Sequence, residues 1–141
     1  MIVLDTNVVS ELMRAEPEPR VFAFVDARPR NMLFTTTIVQ AEILSGVAML
    51  PMGRRRTALQ EDAERLFSVD FAGRVLPFDE AAAIHFAAIR AARRAAGRPV
   101  ASFDSLVAAT ARAHGAIVAT RNTSDFRGCG VDVIDPWSAS H

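Results

Sequence analysis

Short apolar runs alternate with longer amphipathic segments along the whole chain. Five runs have strand length and are bounded by polar, Pro or Gly residues, so they predict β-strands at 2–4, 32–35, 74–76, 117–119 and 131–134. The segments between them carry helical periodicity. Strands that alternate with helices are typical of an α/β fold, in which a mainly parallel sheet is covered by helices on both faces.

Four longer helices are predicted between the strands, at 37–50, 54–66, 80–96 and 103–114. The first starts with a capping-box pattern, Thr37-Ile38-Val39-Gln40, and stops before Pro51 and Gly53. Asp79 and Ser102 are predicted to cap the third and fourth helices. Together with the strands, these helices occupy most of the chain, and no linker or repeat divides it.

The size and composition indicate one globular domain spanning residues 1–141. Half of the residues are hydrophobic, but no run approaches the roughly 18 apolar residues of a membrane span. The amino terminus has no signal-peptide pattern, so we expect a cytoplasmic protein. Sixteen acids balance sixteen bases, all of them arginine. This balance argues against a non-specific nucleic-acid coat protein.

Four carboxylates stand in informative positions. Asp5 follows the apolar run at 1–4, and Asp125 follows the strand at 117–119 after a polar turn. Glu42 is the only charge within the first long helix, and Asp104 lies in the first turn of the fourth. Each position also has a structural explanation, because helices have a wet side, helix N-termini favour acids, and acids form turns.

The carboxyl ends of parallel strands meet at one edge of a sheet, where open α/β sheets bind their ligands. The four acids are therefore predicted to converge there. Carboxylates packed together repel each other unless a cation supplies opposite charge. An all-oxygen set suits Mg²⁺, with Mn²⁺ as an alternative, and no Cys/His pattern predicts zinc.

Four motifs follow one another in this order: MIVLDTN at 1–7, Ala41-Glu42 followed by Gly46, Phe103-Asp104 leading into LVAA at 106–109, and ATRNTSDF at 119–126 ahead of Asp135-Pro136-Trp137. In this order and spacing the chain resembles the PIN-domain ribonucleases, specifically the VapC-type toxins of the FitB-like branch. The resemblance covers the whole chain. It implies a PIN-like three-layer α/β/α fold and a magnesium-dependent endoribonuclease that is the toxin of a toxin–antitoxin pair.

The resemblance also implies roles for individual residues. Asp5 and Asp104 would ligate the metal directly, while Glu42 and Asp125 would bind a second ion or orient water. The FitB-like pattern can place its fourth acid where this chain has Asn122; Asp125 is preferred here because asparagine brings no charge. Three polar side chains would support the carboxylates or the scissile phosphate: Thr6, Thr120 and Asn122.

A toxin of this kind implies several partners: a cognate antitoxin, an RNA substrate, a second copy in a homodimer, and operator DNA reached only through the antitoxin. No membrane is implied. RNA around an acidic site needs basic contacts, and the candidates include Arg54, Arg55 and Arg56 at the start of the second helix, with Arg121 nearer the site. A second group of candidates is Arg90, Arg93, Arg94 and Arg98. Such charge runs are also typical of plain solvated faces.

Two other functions remain open at this stage. An aspartate after a first strand also begins haloacid-dehalogenase-like phosphatases, which use a covalent aspartyl intermediate. That family would have a second acid two residues after the first, where this chain has Asn7, and the chain also contains no lysine. Both features argue against this alternative. The other alternative is a catalytically silent PIN-fold interaction module, which the presence of all four acids argues against.

Overall fold

The structure, a computed structural model, describes residues 1–138 of the chain. Five short strands form one sheet in the order β3-β2-β1-β4-β5, and every neighbouring pair is parallel. Their bounds are β1 Ile2–Leu4, β2 Leu33–Thr36, β3 Val75–Leu76, β4 Ile117–Ala119 and β5 Val133–Ile134. All five predicted strands and the predicted parallel sheet are confirmed, with ends that shift by up to two residues.

Seven α-helices flank the sheet in the described part of the chain: α1 Thr6–Leu12, α2 Pro19–Asp26, α3 Thr37–Ala48, α4 Arg54–Arg65, α5 Glu80–Ala95, α6 Ser102–Ala113 and α7 Thr123–Phe126. A 3₁₀ turn, Arg30–Met32, precedes β2, and a π-helical turn, Leu66–Asp70, extends α4. The α/β class predicted from the sequence is therefore confirmed. Between residues 1 and 138, no helix combines the length and apolar character required to cross a bilayer.

Two of the three predicted helix caps were wrong. The residue that caps α3 is Thr36, whose hydroxyl accepts the N–H of Val39 at 3.1 Å; the Thr37 hydroxyl instead accepts the N–H of Phe78 at 3.3 Å. Ser102 lies inside α6, whose N-cap residue Ala101 has no side-chain oxygen. The Asp79 cap is confirmed, since its carboxylate accepts the N–H of Ala82 at 3.0 Å. These differences move helix boundaries by one residue.

Helix α2 was missed in the sequence because Glu16-Pro17-Glu18-Pro19 has the composition of a turn. Pro19 instead occupies the first helical turn, where its missing N–H costs nothing, and Glu18 caps the helix through its carboxylate. Buried Glu11 on α1 accepts the Glu18 N–H at 3.1 Å and pairs with Arg14 at 3.1 Å. Glu11 thus ties the start of α2 to α1.

The core lies around the two central strands. Val3 and Leu4 of β1 and Val118 and Ala119 of β4 have no exposed surface. Burial of each Val or Leu side chain contributes about 1.5–3 kcal/mol to folding. These strands are short but buried on both faces, so their carboxyl ends are fixed in position.

The strand order creates a topological switch point. After β1 the chain moves outwards to β2 and β3, whereas β4 pairs with the other side of β1 and is followed outwards by β5. The loops that leave β1 and β4 consequently diverge, and the crevice between them is the usual ligand site of an open parallel sheet. Asp5 and Thr120 are the first residues after these two strands.

Candidate active site

Asp5 stands at the base of the crevice, where the β1–β4 ladder ends. Its N–H donates to the carbonyl of Ala119 at 3.0 Å, which fixes its backbone to β4. Its side chain is buried, with 3% of its surface exposed, and accepts a hydrogen bond from the Thr120 hydroxyl at 2.9 Å. The chain therefore holds a buried carboxylate in one orientation at the ligand-binding edge.

Thr120 is the centre of a small hydrogen-bond network. Its one proton goes to Asp5, while its oxygen accepts the side-chain amide of Asn7 and the backbone N–H of Asn122, each at 3.1 Å. Asn7 also accepts the N–H of Arg121 at 3.1 Å. Asn7, in the first turn of α1, thus joins this helix to the loop after β4, a positioning role that the sequence did not predict. The position of Asn7 two residues after Asp5 was the sequence feature that could have indicated this role.

Glu42 approaches the crevice from α3. Its carboxylate accepts the Thr6 hydroxyl at 2.8 Å, so Thr6 contacts an acid as expected. Glu42 is partly buried. A carboxylate that faced only bulk water would have little influence on the crevice, but the charge of Glu42 raises the pKa of Asp5. The structure therefore places Glu42 beside the crevice.

The two central acids have raised pKa values. Burial raises the pKa of Asp5, and the charges of Glu42 and Asp125 add to this rise, against the hydrogen bond from Thr120. Burial also raises the pKa of Asp104 to about 6. The charges of Asp5, Asp125 and Glu42 contribute to that increase, in this order. Asp5 and Asp104 thus each interact with the other carboxylates, and we call Asp5, Glu42, Asp104 and Asp125 the acidic centre.

The donor chemistry of the acidic centre fits a hard divalent cation. All of its charged groups are carboxylates, and none of them takes part in an ion pair found among residues 1–138. Within the same residues, however, no three Asp, Glu, His or Cys side chains are arranged to hold an ion together. Mutual repulsion keeps uncompensated carboxylates apart, and a cation would draw them inwards by removing that repulsion.

Asp125, the acid predicted for the fourth position, is an exposed residue of α7. Its charge acts on both Asp5 and Asp104. Asn122, by contrast, contributes its backbone N–H to Thr120 and has no charge. Asp125 as the fourth acid of the site and Asn122 as a supporting residue therefore stay predictions.

A groove of about 630 Å³ leads away from the acidic centre between α1, α3 and α4. Thr6 and Glu42 form its inner end, and Arg14, Arg55 and Asp62 are among its polar lining residues. The rest of the lining is mainly apolar: Met13, Ala15, Ile43, Gly46, Val47, Leu50, Ala58 and Leu59. The groove was not predicted, because it depends on how three helices pack.

The basic residues proposed as RNA contacts differ in position. Arg55 lines the groove, while Arg54 is exposed and Arg56 is partly buried at the start of α4. The Arg121 guanidinium lies 5.0 Å from the ring centre of Trp137, beside the loop that positions Thr120. Arg55 thus lines the groove that begins at Thr6 and Glu42, and Arg121 lies on the loop after β4.

Comparison with known proteins agrees with this geometry. The family described as PIN domain matches residues 2–128. The VapC ribonuclease Y4jK of Sinorhizobium fredii is 46% identical over 137 residues, which cover 97% of this chain and 98% of the relative. The toxin FitB of Neisseria gonorrhoeae is 42% identical over 137 residues, or 97% of this chain and 99% of the relative.

A solved structure has the same fold over the full length. The structure of FitAB bound to an IR36 DNA fragment superposes with a TM-score of 0.92 at 41% identity and covers 100% of this chain and 99% of its own. The predicted three-layer α/β fold is therefore confirmed by an independent comparison.

Proposed function

Because the chain belongs to the PIN-domain family, among the VapC- and FitB-type toxins, we propose that it is a metal-dependent endoribonuclease and the toxin of a toxin–antitoxin pair. The observation that carries the proposal is the acidic centre at the switch point. The pKa of Asp104 rises to about 6. Burial makes the largest contribution to this rise, and the negative charges of the three other carboxylates add to it. A site that accumulates negative charge in this way is stabilised by a cation.

The chain's own residues would prepare the site for hydrolysis. A bound Mg²⁺ or Mn²⁺ ion would supply the positive charge that stabilises the attacking and leaving oxygens of a phosphodiester. Asp5 and Asp104 would hold it, and the Thr120 hydroxyl keeps the Asp5 carboxylate oriented toward the crevice. Glu42, fixed by Thr6, and Asp125 would orient the attacking water. No protein nucleophile is required.

The substrate class follows from the chemistry of the surroundings. Sequence-specific recognition of RNA favours single-stranded loops, because their bases are accessible. Arg55 lines the groove that begins at Glu42, and Arg121 lies on the loop after β4; both would contact the phosphates of such a loop. We therefore propose a single-stranded or looped RNA as the substrate.

The antitoxin would bind in the apolar groove. A groove of this size and composition suits an amphipathic helix, and its inner end at Glu42 would let a following arginine reach the carboxylates. Operator DNA would be reached only through that partner; the FitAB neighbour was solved with DNA bound. Co-expression with the neighbouring gene's product should rescue growth and yield a stable complex on size exclusion. A wild-type protein that is harmless alone and does not bind that product would exclude the toxin role.

A homodimer is also proposed. On α5, Ala81, Ile84 and Ala88 recur at helical spacing and are exposed, with 67% of Ile84 accessible. Small apolar residues in such a stripe can pack against a symmetry-related helix. Light scattering should give a dimer for wild type and a monomer for Ile84→Glu; a wild-type monomer would contradict this part of the proposal.

Cleavage assays test the nuclease proposal. Purified protein should cleave a looped RNA internally in Mg²⁺ or Mn²⁺ and lose this activity in EDTA. Asp104→Asn should be inactive, whereas Asp132→Asn, an exposed acid at the amino end of β5, should retain activity. Cleavage that persists in excess chelator, or equal activity of both variants, would contradict the proposal.

The alternatives receive less support. The phosphatase alternative is disfavoured by the family match and by Asn7, which joins α1 to the loop after β4 at the position where that family would need a second acid. A silent interaction module would keep the groove but lack metal affinity. A titration with Mn²⁺ or Mg²⁺ therefore separates such a module from the enzyme.

A further inference from the structure

A second cavity lies at the carboxyl end of α5, outside the acidic centre and the groove. Its volume is about 550 Å³, and it is lined by Arg90, Ala91, Arg93, Arg94, Pro99 and Val100, which we call the arginine pocket. Three of these six residues are arginines and none is acidic. The pocket therefore concentrates positive charge in a chain whose formal net charge is zero.

Arg93 gives the pocket a buried charge. Only 8% of its surface is exposed, so it is not the surface contact expected from the sequence. One terminal guanidinium nitrogen donates to the Arg127 carbonyl, whereas its buried Nε has no hydrogen-bond partner among residues 1–138. A buried guanidinium with an unsatisfied donor and no carboxylate partner is energetically costly. An anion in the pocket would compensate that cost.

Arg90 and Arg94 are exposed and available to a ligand. The Arg90 guanidinium lies 5.6 Å from the ring centre of Phe86, which restricts its motion. No ion pair within residues 1–138 involves either residue. Their planar guanidinium groups can each donate two parallel hydrogen bonds to a phosphate.

The pocket lies at the same edge of the sheet as the acidic centre. Helices α5 and α6 pack together and are joined by a short loop, so the end of α5 adjoins the start of α6. Val100 of the pocket is four residues before Asp104, and the reach of an extended chain places their Cα atoms within about 14 Å. The pKa of the Cys129 thiol, which burial raises, is lowered by the charge of Arg93 and raised by that of Asp104. Arg93 and Asp104 therefore both influence the same thiol. One strand of RNA could therefore contact both sites.

We propose that the arginine pocket binds a phosphate group of the RNA backbone next to the cleaved bond, through Arg90 and Arg94 and the buried charge of Arg93. This proposal rests on the proposed nuclease function. The acidic centre repels RNA, so a nearby cationic pocket would supply attraction and set the register of the strand without contacting the scissile phosphate.

Inorganic phosphate tests the pocket without any nuclease activity. Amide resonances of the wild-type protein are followed by NMR during a phosphate titration in EDTA. We expect saturable shifts at Val100 and Ala101, and their loss in the double variant Arg90→Gln/Arg94→Gln. The matched control is Arg30→Gln, which removes an exposed charge before β2, at the opposite edge of the sheet. Shifts that do not saturate, or that persist in the double variant, would overturn the proposal.

RNA binding tests whether the phosphate belongs to the substrate. Anisotropy of a labelled single strand is measured with Asp104→Asn protein, so that no cleavage occurs. The double variant should bind about three- to tenfold more weakly, and its log–log salt slope should fall by about 0.7 for each RNA phosphate that the protein no longer neutralises. In the active protein, KM should rise while kcat changes little. Arg30→Gln should match wild type.

The two proposals fail separately. If wild type cleaves RNA while the double variant keeps the same affinity, salt slope and KM, the arginine pocket is not an RNA subsite and the nuclease proposal stands. If phosphate and RNA bind as expected but wild type never cleaves RNA, the pocket is supported and the nuclease function is overturned. Unchanged thermal melting of the double variant checks that its effects do not come from misfolding.

Discussion

Asp104→Asn should stabilise the metal-free protein at neutral pH. In the folded chain the pKa of Asp104 rises from its ordinary value of 3.8 to about 6, through burial first and then through three neighbouring carboxylates. At about 1.4 kcal/mol per pKa unit, this shift means that ionised Asp104 destabilises the folded protein by roughly 3 kcal/mol. Solvent screening of a partly exposed group reduces that destabilisation to about 1–1.5 kcal/mol. Loss of the favourable helix-dipole interaction, screened at ordinary ionic strength, subtracts about 0.3–0.5 kcal/mol. The net gain is about 0.5–1 kcal/mol.

The pH dependence has a definite sign. Because folding raises this pKa, the folded state holds the proton more tightly, and its stabilising effect is fully present below about pH 3.8 and lost as the pH rises through about 6. The asparagine cannot titrate. Its advantage over wild type should therefore be largest above pH 7 and fall to about a third of that value near pH 4.5.

Thermal denaturation in EDTA measures the effect. We expect Asp104→Asn to melt about 2–4 °C above wild type near pH 7.5 and much closer to it near pH 4.5. Asp132→Asn is the control, because it removes an exposed acid at the other edge of the sheet. A variant that is destabilised near pH 7.5, or whose advantage grows as the pH falls, would refute the claim that crowded carboxylates strain the site.

Three further variants test the site and its surroundings. Asp125→Ala should slow RNA cleavage roughly 10- to 100-fold, the usual effect of losing a group around a metal. Asn122→Ala should slow cleavage less; the reverse order would move the fourth position to Asn122. Thr120→Val removes the hydroxyl that donates to Asp5 at 2.9 Å, so metal affinity should fall about tenfold and recover in Thr120→Ser; an unchanged affinity would exclude a positioning role. Gly130→Ala should lower the free energy of unfolding by about 1–2 kcal/mol in urea titrations. The φ of Gly130 is +76°, and the new Cβ would lie 3.1 Å from an arginine guanidinium on α6. Unchanged stability would contradict this prediction.

The strands and their direction could be predicted because their signals are local. Residues 2–4 and 117–119 are apolar runs that are each followed by a polar residue, and the structure confirms their ends without a shift. Helix α2 was missed because Pro17 and Pro19 resemble a turn until Glu11 is seen to anchor Glu18. Similarly, either Thr36 or Thr37 could cap α3, and only the hydrogen bond between Thr37 and the loop that follows β3 decides between them.

The acidic centre was partly predictable from the sequence. The position of Asp5 after a buried strand depends only on strand topology, and so it could be anticipated. The role of Asn7 depends on a hydrogen bond with Thr120 across 113 positions of sequence, which no local pattern encodes. The groove and the arginine pocket are likewise products of helix packing. In the case of Arg93, packing buries a residue that the sequence predicted to lie on the surface.

The most direct test of the central claim is a calorimetric titration of the purified protein with Mn²⁺ and Mg²⁺. The claim is that four carboxylates form one site whose repulsion a divalent cation relieves. Wild type should bind with a saturable isotherm, Asp132→Asn should match it, and Asp5→Asn and Asp104→Asn should each lose most of the affinity. If wild type binds no more tightly than Asp5→Asn and Asp104→Asn, the acidic centre is not a metal site.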